Sequence, residues 1–338
     1  MSMLDSNPHL SIVIPTYNRA NFIDYCLEIH VPLAQRHNVQ IFISDNASTD
    51  NTKEVVDKWK NKYPHIVYRC NAENIGPDGN IELALRYPNT KYVWLLGDTY
   101  RIPESGIEYV LNIAQGMTSY DAMVINLGEY ITSNAIKTKD YVDQNALLFD
   151  LGALMTCLSC LVYSRELIVN ANFSRYRNSS FLQTGIIFEY IASRPFVIHW
   201  AQSLSIGGLA HASLRKINWS YTHEFLEIAC KRWSNFVFSL PVSYGAEIKL
   251  KCILDFGKVS KLFILKSLLN LRRLNLLNYR SYKHYSRFLS LTIDYPRLAV
   301  LAICVMPISF IQALAIIVIL ASRKNKLATI RRIIKDKI

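Results

Sequence analysis

Leu10-Ser-Ile-Val-Ile14 is a run of apolar and β-branched residues that ends at Pro15, and Val39-Gln-Ile-Phe-Ile43 is a second run of the same kind. Short apolar runs that stop at turn-forming residues predict buried strands. Between the two runs, residues 21–35 place apolar side chains at helical spacing. A strand, a helix and a strand of these lengths make a βαβ unit, which predicts two parallel neighbouring strands.

The same alternation continues along the first hundred residues. Further helices are predicted at Thr52–Lys62 and at 81–86, and further strands at 66–68 and 91–96. The helices of such units cover both faces of the sheet that they connect. We therefore predict an α/β fold with a Rossmann-like, mostly parallel sheet and helices on both faces.

The net charge of +12 is concentrated at one end of the chain. Residues 258–338 contain 16 Lys and Arg against 2 Asp and Glu, whereas residues 1–257 contain 22 against 24. The basic part also holds a charge-free run of 24 residues at 298–321, long enough for a bilayer-spanning helix. Basic residues interleaved with a long apolar run are typical of membrane association, and no nucleic-acid partner is expected.

This C-terminal part has basic clusters on both sides of its apolar run. A single span would place one cluster outside, which the positive-inside preference disfavours. A re-entrant or interfacial pair of helices, kinked at Pro307, would keep both clusters on the anionic cytoplasmic surface. Residues 262–287 resemble an amphipathic surface helix. We predict a helical extension at 216–260 and a membrane-associated helical region at 261–338; the alternative is a buried core helix with a solvated basic end.

Three predicted strands end in polar, turn-forming tips. These tips are Pro15-Thr-Tyr-Asn-Arg19, Ser44-Asp-Asn-Ala-Ser-Thr-Asp50 and Gly97-Asp98-Thr99. Because ligands of open α/β sheets bind beyond the carboxyl ends of the strands, the tips predict one polar site. None of them has the glycine spacing of a dinucleotide fold or a P-loop.

Four stretches occur in the order and spacing of a known enzyme family. Ile12-Val-Ile-Pro-Thr-Tyr-Asn-Arg19, Ile43-Ser-Asp-Asn-Ala-Ser-Thr-Asp-Asn-Thr52, Asn74-Ile-Gly-Pro77 and Trp94-Leu-Leu-Gly-Asp98 resemble the motifs of family 2 glycosyltransferases with the GT-A fold. The third and fourth stretches resemble the abequosyltransferase-like members, which build bacterial surface polysaccharides. The resemblance covers residues 10–215 and implies a catalytic domain at 1–215 that binds a nucleotide sugar.

The resemblance also implies which residues bind the donor. The tip after the first strand would surround the nucleoside, and Asp45 would accept a hydrogen bond from a pyrimidine N–H. The loop at 74–80 would approach the nucleotide, Asp98 would lie near the ribose and diphosphate, and a histidine loop would cover the diphosphate. The implied donor-site residues are Pro15, Thr16, Tyr17, Asn18, Asp45, Asn74, Gly76, Asp98 and His211.

Each of these assignments has a structural alternative. Asp45 and Asp50 are residue types that cap helices, so either could serve the following helix. Tyr17 could belong to the core, and Asp98 could be a turn former. The asparagine and glycine of the 74–80 loop could be turn residues alone, and the histidine could be an ordinary surface residue.

The tip after the fourth strand departs from the family pattern. Family members usually carry Asp-x-Asp there, and the later carboxylate binds a divalent metal such as Mg²⁺ or Mn²⁺. This chain has Asp98-Thr99-Tyr100-Arg101, and a lone carboxylate is a poor site for either ion. Asp98 remains the candidate ligand, whereas Arg101 offers a fixed charge that could itself offset the diphosphate.

The general base is the second departure. An inverting transferase needs a carboxylate within hydrogen-bond reach of the acceptor hydroxyl. The family places it near the start of the helix predicted at 181–192, where this chain has Gln183 and Thr184. Glu189 on that helix and Asp78 in the 74–80 loop are the remaining candidates, and Glu189 has a structural ion pair as its alternative.

These observations predict an inverting glycosyltransferase. It would move a hexose or deoxyhexose from a nucleotide diphosphate sugar to a lipid-linked (polyprenyl diphosphate) saccharide in bacterial O-antigen or capsule synthesis. The first ten residues lack the pattern of a secretion signal, so we expect the cytoplasmic face of the inner membrane. The alternative is a catalytically degenerate GT-A protein that acts as a nucleotide-sugar-binding or scaffold subunit.

Overall fold

The computed structural model describes residues 6–128, 136–209 and 222–313. The chain divides into two compact units. Unit 1 consists of Met1–Lys216 and Phe236–Cys252, and unit 2 consists of Ile217–Asn235 and Ile253–Ile338.

Unit 1 is built around a single sheet. Its first four strands are those that the apolar runs predict, and they pair in the parallel order β3-β2-β1-β4. The nine strands among the described residues are β1 (Leu10–Thr16), β2 (Gln40–Asp45), β3 (Ile66–Cys70), β4 (Tyr92–Leu95), β5 (Tyr100–Arg101), β6 (Ala122–Leu127), β7 (Lys139–Tyr141), β8 (Leu161–Ser164) and β9 (Ile198–Gly208).

The second half of the sheet is mixed. Strand β8 lies antiparallel between β4 and β6, β9 is parallel to β6, and β5 and β7 pair antiparallel with β9. The prediction of a mostly parallel sheet therefore holds for β1–β4, whereas beyond them only the β6–β9 pair among the described strands is parallel. A fully buried strand is a continuous apolar run whether it pairs parallel or antiparallel. The apolar pattern of β8 therefore does not reveal its direction in the sheet.

Both faces of the sheet are covered. Successive residues of a strand point to opposite faces, and every residue from Leu10 to Ile14 is buried. Helix α3 (Gly76–Arg86) packs on β1 and β2, α4 (Gly106–Gln115) packs on β1, and α1 (Ala20–Gln35) packs on α2 (Thr52–Lys62).

The other α-helices among the described residues are α5 (Gln144–Leu151), α6 (Arg165–Asn170), α7 (Leu182–Ile191), α8 (Trp233–Ser239), α9 (Ala246–Val259), α10 (Leu265–Arg273), α11 (Tyr279–Thr292) and α12 (Arg297–Val305).

Unit 2 is helical over its described residues. The single amphipathic helix expected at 262–287 is replaced by two helices, α10 and α11. Asn275 adopts a left-handed φ of 58° after α10, and Asn278 begins α11 with a reciprocal hydrogen-bonded cap to Ser281. Both are residue types that end or begin helices, so the break follows from local sequence.

The apolar run at 298–321 is only partly described. Helix α12 ends at Val305, residues 308–313 are helical again, and Pro307 lies between, as the proline-kink prediction requires. Over the described ranges, which end at residue 313, no helix has the length and apolar character needed to cross a bilayer.

Candidate functional site

The carboxyl ends of β1, β2 and β4 meet at one edge of the sheet. Thr16, the last residue of β1, lies beside Asp45, the last residue of β2. The Thr16 hydroxyl also donates to Asp98 Oδ2 at 3.3 Å, after the end of β4. All three residues are buried. The structure thus brings together two carboxylates that are 53 positions apart in the sequence, with Thr16 between them.

Asp98 forms an ion pair with Arg19. Arg19 Nη1 donates to Asp98 Oδ1 at 2.7 Å, and its guanidinium carbon lies 4.6 Å from the centre of the Phe22 ring. The side chain of Asp98 is 7% exposed, whereas that of Arg19 is 32% exposed. The buried carboxylate therefore has a positive partner that faces the solvent at the edge of the sheet.

Asp45 is held by two neighbouring side chains. Oδ1 accepts hydrogen bonds from the N–H and hydroxyl of Ser48, the N–H at 2.9 Å, and Oδ2 accepts one from the Tyr68 hydroxyl at 2.6 Å. Burial and the hydrogen bond to Asp45 raise the pKa of Tyr68, so it remains a neutral donor. Oδ1 thus accepts two hydrogen bonds and Oδ2 accepts one, so Oδ2 keeps a lone pair with which Asp45 can accept a further N–H.

The loop before α3 is anchored by Asn46. Its Oδ1 accepts from Ile75 N at 3.0 Å, and its Nδ2 donates to Asn74 Oδ1 at 2.7 Å and to Gly76 O at 3.2 Å. Asn74 Oδ1 also accepts from Gly76 N at 2.9 Å, which makes an Asx turn. Gly76 has a φ of 79°, a conformation that glycine adopts without strain. The side chain of Asn74 thus has a structural role in this turn, next to the predicted site.

The tips after β1 and β2 are bonded to each other. Asn18 N donates to Ser48 Oγ at 2.8 Å, and Thr49 N donates to Asn18 Oδ1 at 2.7 Å. Asn18 and Ala47 both have positive φ angles, 50° and 63°. Asparagine tolerates this conformation, whereas alanine carries a cost of about 1–2 kcal/mol. Such strain is concentrated at functional sites.

Asp50 joins the starts of α1 and α2. It accepts hydrogen bonds from Ala20 N at 3.0 Å and from Thr52 N at 3.1 Å, the first residues of the two helices. Burial opposes ionisation of Asp50, but the hydrogen bonds from Thr52 and Ala20 outweigh it and lower its pKa. These contacts match the capping alternative.

The remaining predicted donor-site residues are less buried. Tyr17 is 42% exposed, so its ring is not part of the core, and Pro15 is half-buried at the end of β1. Arg101 is exposed on β5, which pairs with β9. The cation that contacts Asp98 is Arg19. His211 lies outside the described residues.

The family model of glycosyl transferase family 2 matches residues 11–168, the segment that carries β1 to β8 and all three strand tips. Residues 11–168 belong to that family. The match confirms the family that the four motifs predict.

Curated relatives match short segments of this chain. An abequosyltransferase of Salmonella typhimurium is 41% identical over 91 residues, which are 26% of this chain and 27% of the relative. A GalNAc(5)-diNAcBac-PP-undecaprenol beta-1,3-glucosyltransferase of Campylobacter jejuni is 29% identical over 92 residues, 27% of this chain and 29% of the relative. The matched segments thus span less than a third of the length of either curated relative.

Two solved structures have the same architecture. S. aureus TarS 1-349 in complex with UDP-GlcNAc has a TM-score of 0.55 at 15% identity, with 87% of each chain covered. A mannosyltransferase from Pyrobaculum calidifontis, in complex with GDP-Man and Mn²⁺, has a TM-score of 0.51 at 13% identity, with 88% of each chain covered. At this identity the likeness shows the fold alone, which is the expected GT-A-like α/β fold.

The family 2 domain has a poor donor set for a divalent metal at Asp98. Asp98 Oδ1 is bonded to a guanidinium and Oδ2 to a hydroxyl. In the ranges that the structure describes, no three His, Cys, Asp or Glu side chains are grouped as metal ligands would be. Mg²⁺ and Mn²⁺ prefer several anionic or carbonyl oxygens. The described residues around Asp98 therefore do not fit the metal that the family pattern implies.

Asp78 bonds to the loop that precedes α7. Asp78 is in the first turn of α3, is buried, and accepts a hydrogen bond from Ser180 N at 3.2 Å. Ser180 directly precedes Phe181, the N-cap of α7, and both Asn178 and Ser180 have positive φ angles, 64° and 69°. A strained loop at the start of α7 thus receives a carboxylate from a distant part of the chain.

The three candidate side chains of α7 form structural hydrogen bonds within unit 1. Gln183 Nε2 donates to Thr156 O at 3.0 Å and the Thr184 hydroxyl donates to Met155 O at 2.7 Å. Glu189 accepts from Arg175 Nη1 at 2.9 Å and from the Tyr176 hydroxyl at 2.8 Å. These contacts favour the structural alternative for Glu189.

Three polar residues of this edge were not singled out from the sequence. Arg19 ends the first quoted tip, Asn46 lies in the second, and Asn80 ends the 74–80 loop, where its amide donates to Ser44 O at 2.9 Å. The sequence signal for all three is their position in the polar tips and in the 74–80 loop. Their partners lie up to 79 residues away, so local spacing does not reveal the contacts.

Proposed function

We propose that this chain is an inverting glycosyltransferase that moves a sugar from a nucleoside diphosphate sugar to a lipid-linked saccharide. The reaction would belong to the synthesis of a bacterial O-antigen or capsule. The observation that carries the proposal is the position of Thr16, which pairs with Asp45 in the sheet and donates to Asp98. Within a family 2 domain, this juxtaposition puts two carboxylates and an arginine at the carboxyl edge of the sheet.

The donor would lie across this edge. Asp45 would accept a hydrogen bond from the base, because its two bound donors, Ser48 and Tyr68, orient the carboxylate. The exposed ring of Tyr17 would stack on the base or ribose. Asp98 would accept from the ribose hydroxyls. Asn18 would act indirectly, by holding the tip in place through Thr49.

Asp78 is the carboxylate that we assign as the general base. Its hydrogen bond from Ser180 N holds the carboxylate beside the start of α7, where it would take a proton from an acceptor hydroxyl. The acceptor oxygen forms a bond to the anomeric carbon while the bond from that carbon to the diphosphate oxygen breaks. The nucleoside diphosphate leaves with the electron pair, and the proton passes to Asp78. Attack from the side opposite the leaving group inverts the anomeric centre.

A membrane surface would present the acceptor. On α12, Leu298 and Val305 are 79% and 56% exposed, and exposed Ala302 lies between them on the same helical face. An exposed apolar stripe on a basic, helical unit fits insertion at the interface of an anionic bilayer. The polyprenyl diphosphate of the acceptor would then lie at the cytoplasmic surface. The exposed basic residues of unit 2 are Lys258, Lys261, Lys266, Arg280, Lys283, Arg287 and Arg297.

A transfer assay tests the proposed function. The full chain is incubated with labelled UDP-, GDP-, dTDP- and CDP-sugars and a polyprenyl diphosphate saccharide, beside Asp45→Ala and Asp98→Ala. Asp57→Ala is the matched control, because Asp57 pairs with Lys53 and Lys60 on the surface of α2. We expect transfer by the wild type and the control, and at least about a hundredfold less by the two site variants.

Two other results would count against the proposal. Equal inertness of all four proteins, with a nucleotide still bound, would establish the scaffold alternative. Transfer that is unchanged in Asp98→Ala and Asp45→Ala would place the reaction elsewhere in the chain.

A further inference from the structure

Arg19 occupies the position at which a metal would have to approach Asp98. Its Nη1 lies 2.7 Å from Asp98 Oδ1, and the Thr16 hydroxyl donates to Oδ2. A divalent ion would therefore have to displace a fixed guanidinium charge before it could bind this carboxylate. Two cations within about 4 Å of each other repel by about 1 kcal/mol or more per unit charge product, and more strongly in a partly buried site.

We propose that Arg19 supplies the positive charge that holds the donor diphosphate, and that its ion pair with Asp98 makes nucleotide binding independent of a divalent metal. This inference rests on the proposed function and adds to it the identity of the cation. An arginine suits the role because its planar guanidinium stays charged at every relevant pH and can bond a carboxylate and a phosphate at once.

The surroundings of Arg19 prepare it for that role. The guanidinium stacks on Phe22 at 4.6 Å and is bonded to Asp98, so two contacts orient it before a ligand arrives. Its side chain is 32% exposed while that of Asp98 is 7% exposed, so the open part of the pair is the cation. Tyr17 and Asn18, which precede it, are exposed at the same tip. Asp98 thus positions Arg19 and also accepts hydrogen bonds from the ribose hydroxyls.

The test measures nucleotide affinity by calorimetry on the full chain, with excess chelator and with Mn²⁺. The probes are UDP, GDP, dTDP and CDP, and the proteins are the wild type, Arg19→Met, Arg19→Lys and the double variant Arg19→Met/Asp98→Asn. Arg36→Met is the matched control, because Arg36 is an exposed arginine that pairs with Glu104. Circular dichroism and thermal unfolding show that each variant is folded.

The expected results follow from the charge at the site. Wild type and Arg36→Met bind one nucleoside diphosphate in chelator, with an affinity that Mn²⁺ changes by less than about threefold. Arg19→Met binds about 10- to 100-fold more weakly in chelator, the effect of one charged hydrogen bond. Mn²⁺ restores part of that loss because Asp98 is released, and the double variant is not restored. Arg19→Lys falls between, because a lysine keeps the charge without the planar fork.

The contradicting results are distinct. If wild-type binding disappears in chelator and returns with Mn²⁺, or if Arg19→Met binds as tightly as the wild type, the inference about Arg19 is wrong and the transferase proposal stands. If the wild type binds none of the four nucleotides with or without Mn²⁺, the proposed function fails and the inference fails with it.

Discussion

Acidification should destabilise unit 1 through one buried histidine, His30. Its Nε2 accepts the N–H of Ile102 at 3.1 Å, so Nδ1 must carry the proton that it donates to Cys26 O at 2.6 Å. A second proton on the ring would face the Ile102 N–H donor. His30 is fully buried, and burial, with a smaller effect from Arg101, lowers its pKa from 6.5 to about 4.

The sign and size follow from that pKa. Between pH 6.5 and about 4, His30 takes up a proton in the unfolded chain but not in the folded one, so the folded state loses stability as the pH falls. Each unit of pH in this window costs 1.36 kcal/mol. At pH 4.5 the loss is therefore about 2–3 kcal/mol relative to pH 7. The effect matters for the site, because Ile102 follows the Asp98–Arg101 tip directly.

Urea unfolding at pH 7.0, 6.0, 5.0 and 4.5 measures this loss. His30→Gln keeps an acceptor for Ile102 but does not titrate, so the stability of the wild type relative to the variant should fall by about 2–3 kcal/mol from pH 7 to 4.5. His37→Gln is the control, because His37 is only half-buried near the end of the same helix. Parallel pH curves for wild type and His30→Gln would refute the reasoning.

Three further substitutions test other parts of the domain. Asp78→Asn should lower kcat for transfer by about 10²- to 10⁴-fold with nucleotide affinity unchanged, since it keeps the bond from Ser180 but cannot take a proton; a kcat within tenfold of wild type would contradict the assignment. Glu189→Gln should cost about 1 kcal/mol of stability and leave kcat/KM within about threefold, because Glu189 bonds Arg175 and Tyr176. Unchanged stability with a large loss of kcat/KM would instead support a catalytic role for Glu189. Asp50→Ala should lower the urea midpoint by the equivalent of about 1–2 kcal/mol, since it caps both α1 and α2, and no change would show that the caps are redundant.

The first half of the fold could be predicted from the sequence because each signal there is local. Apolar runs mark β1, β2, β3 and β4, and turn-forming residues end them. Parallel strands connected by helices must place their carboxyl ends at one edge, so the approach of Asp45 to Asp98 around Thr16 followed from connectivity alone.

The rest depended on contacts between distant residues. The antiparallel direction of β8 depends on how the chain returns to its place between β4 and β6. The apolar run of β8 does not encode that path. The Arg19–Asp98 pair and the Asp78–Ser180 contact join residues 79 and 102 positions apart. Side-chain pairing at such separations has no periodicity, so the sequence does not reveal that Arg19 is bonded to Asp98.

A crystal structure of the full chain with its tightest-binding nucleoside diphosphate tests the central claim most directly. We predict that the base lies within hydrogen-bond distance of the Asp45 carboxylate and that the diphosphate lies beside Arg19 and Asp98. A nucleotide bound away from the carboxyl edge of β1, β2 and β4, with Asp45 and Asp98 both uncontacted, would contradict it.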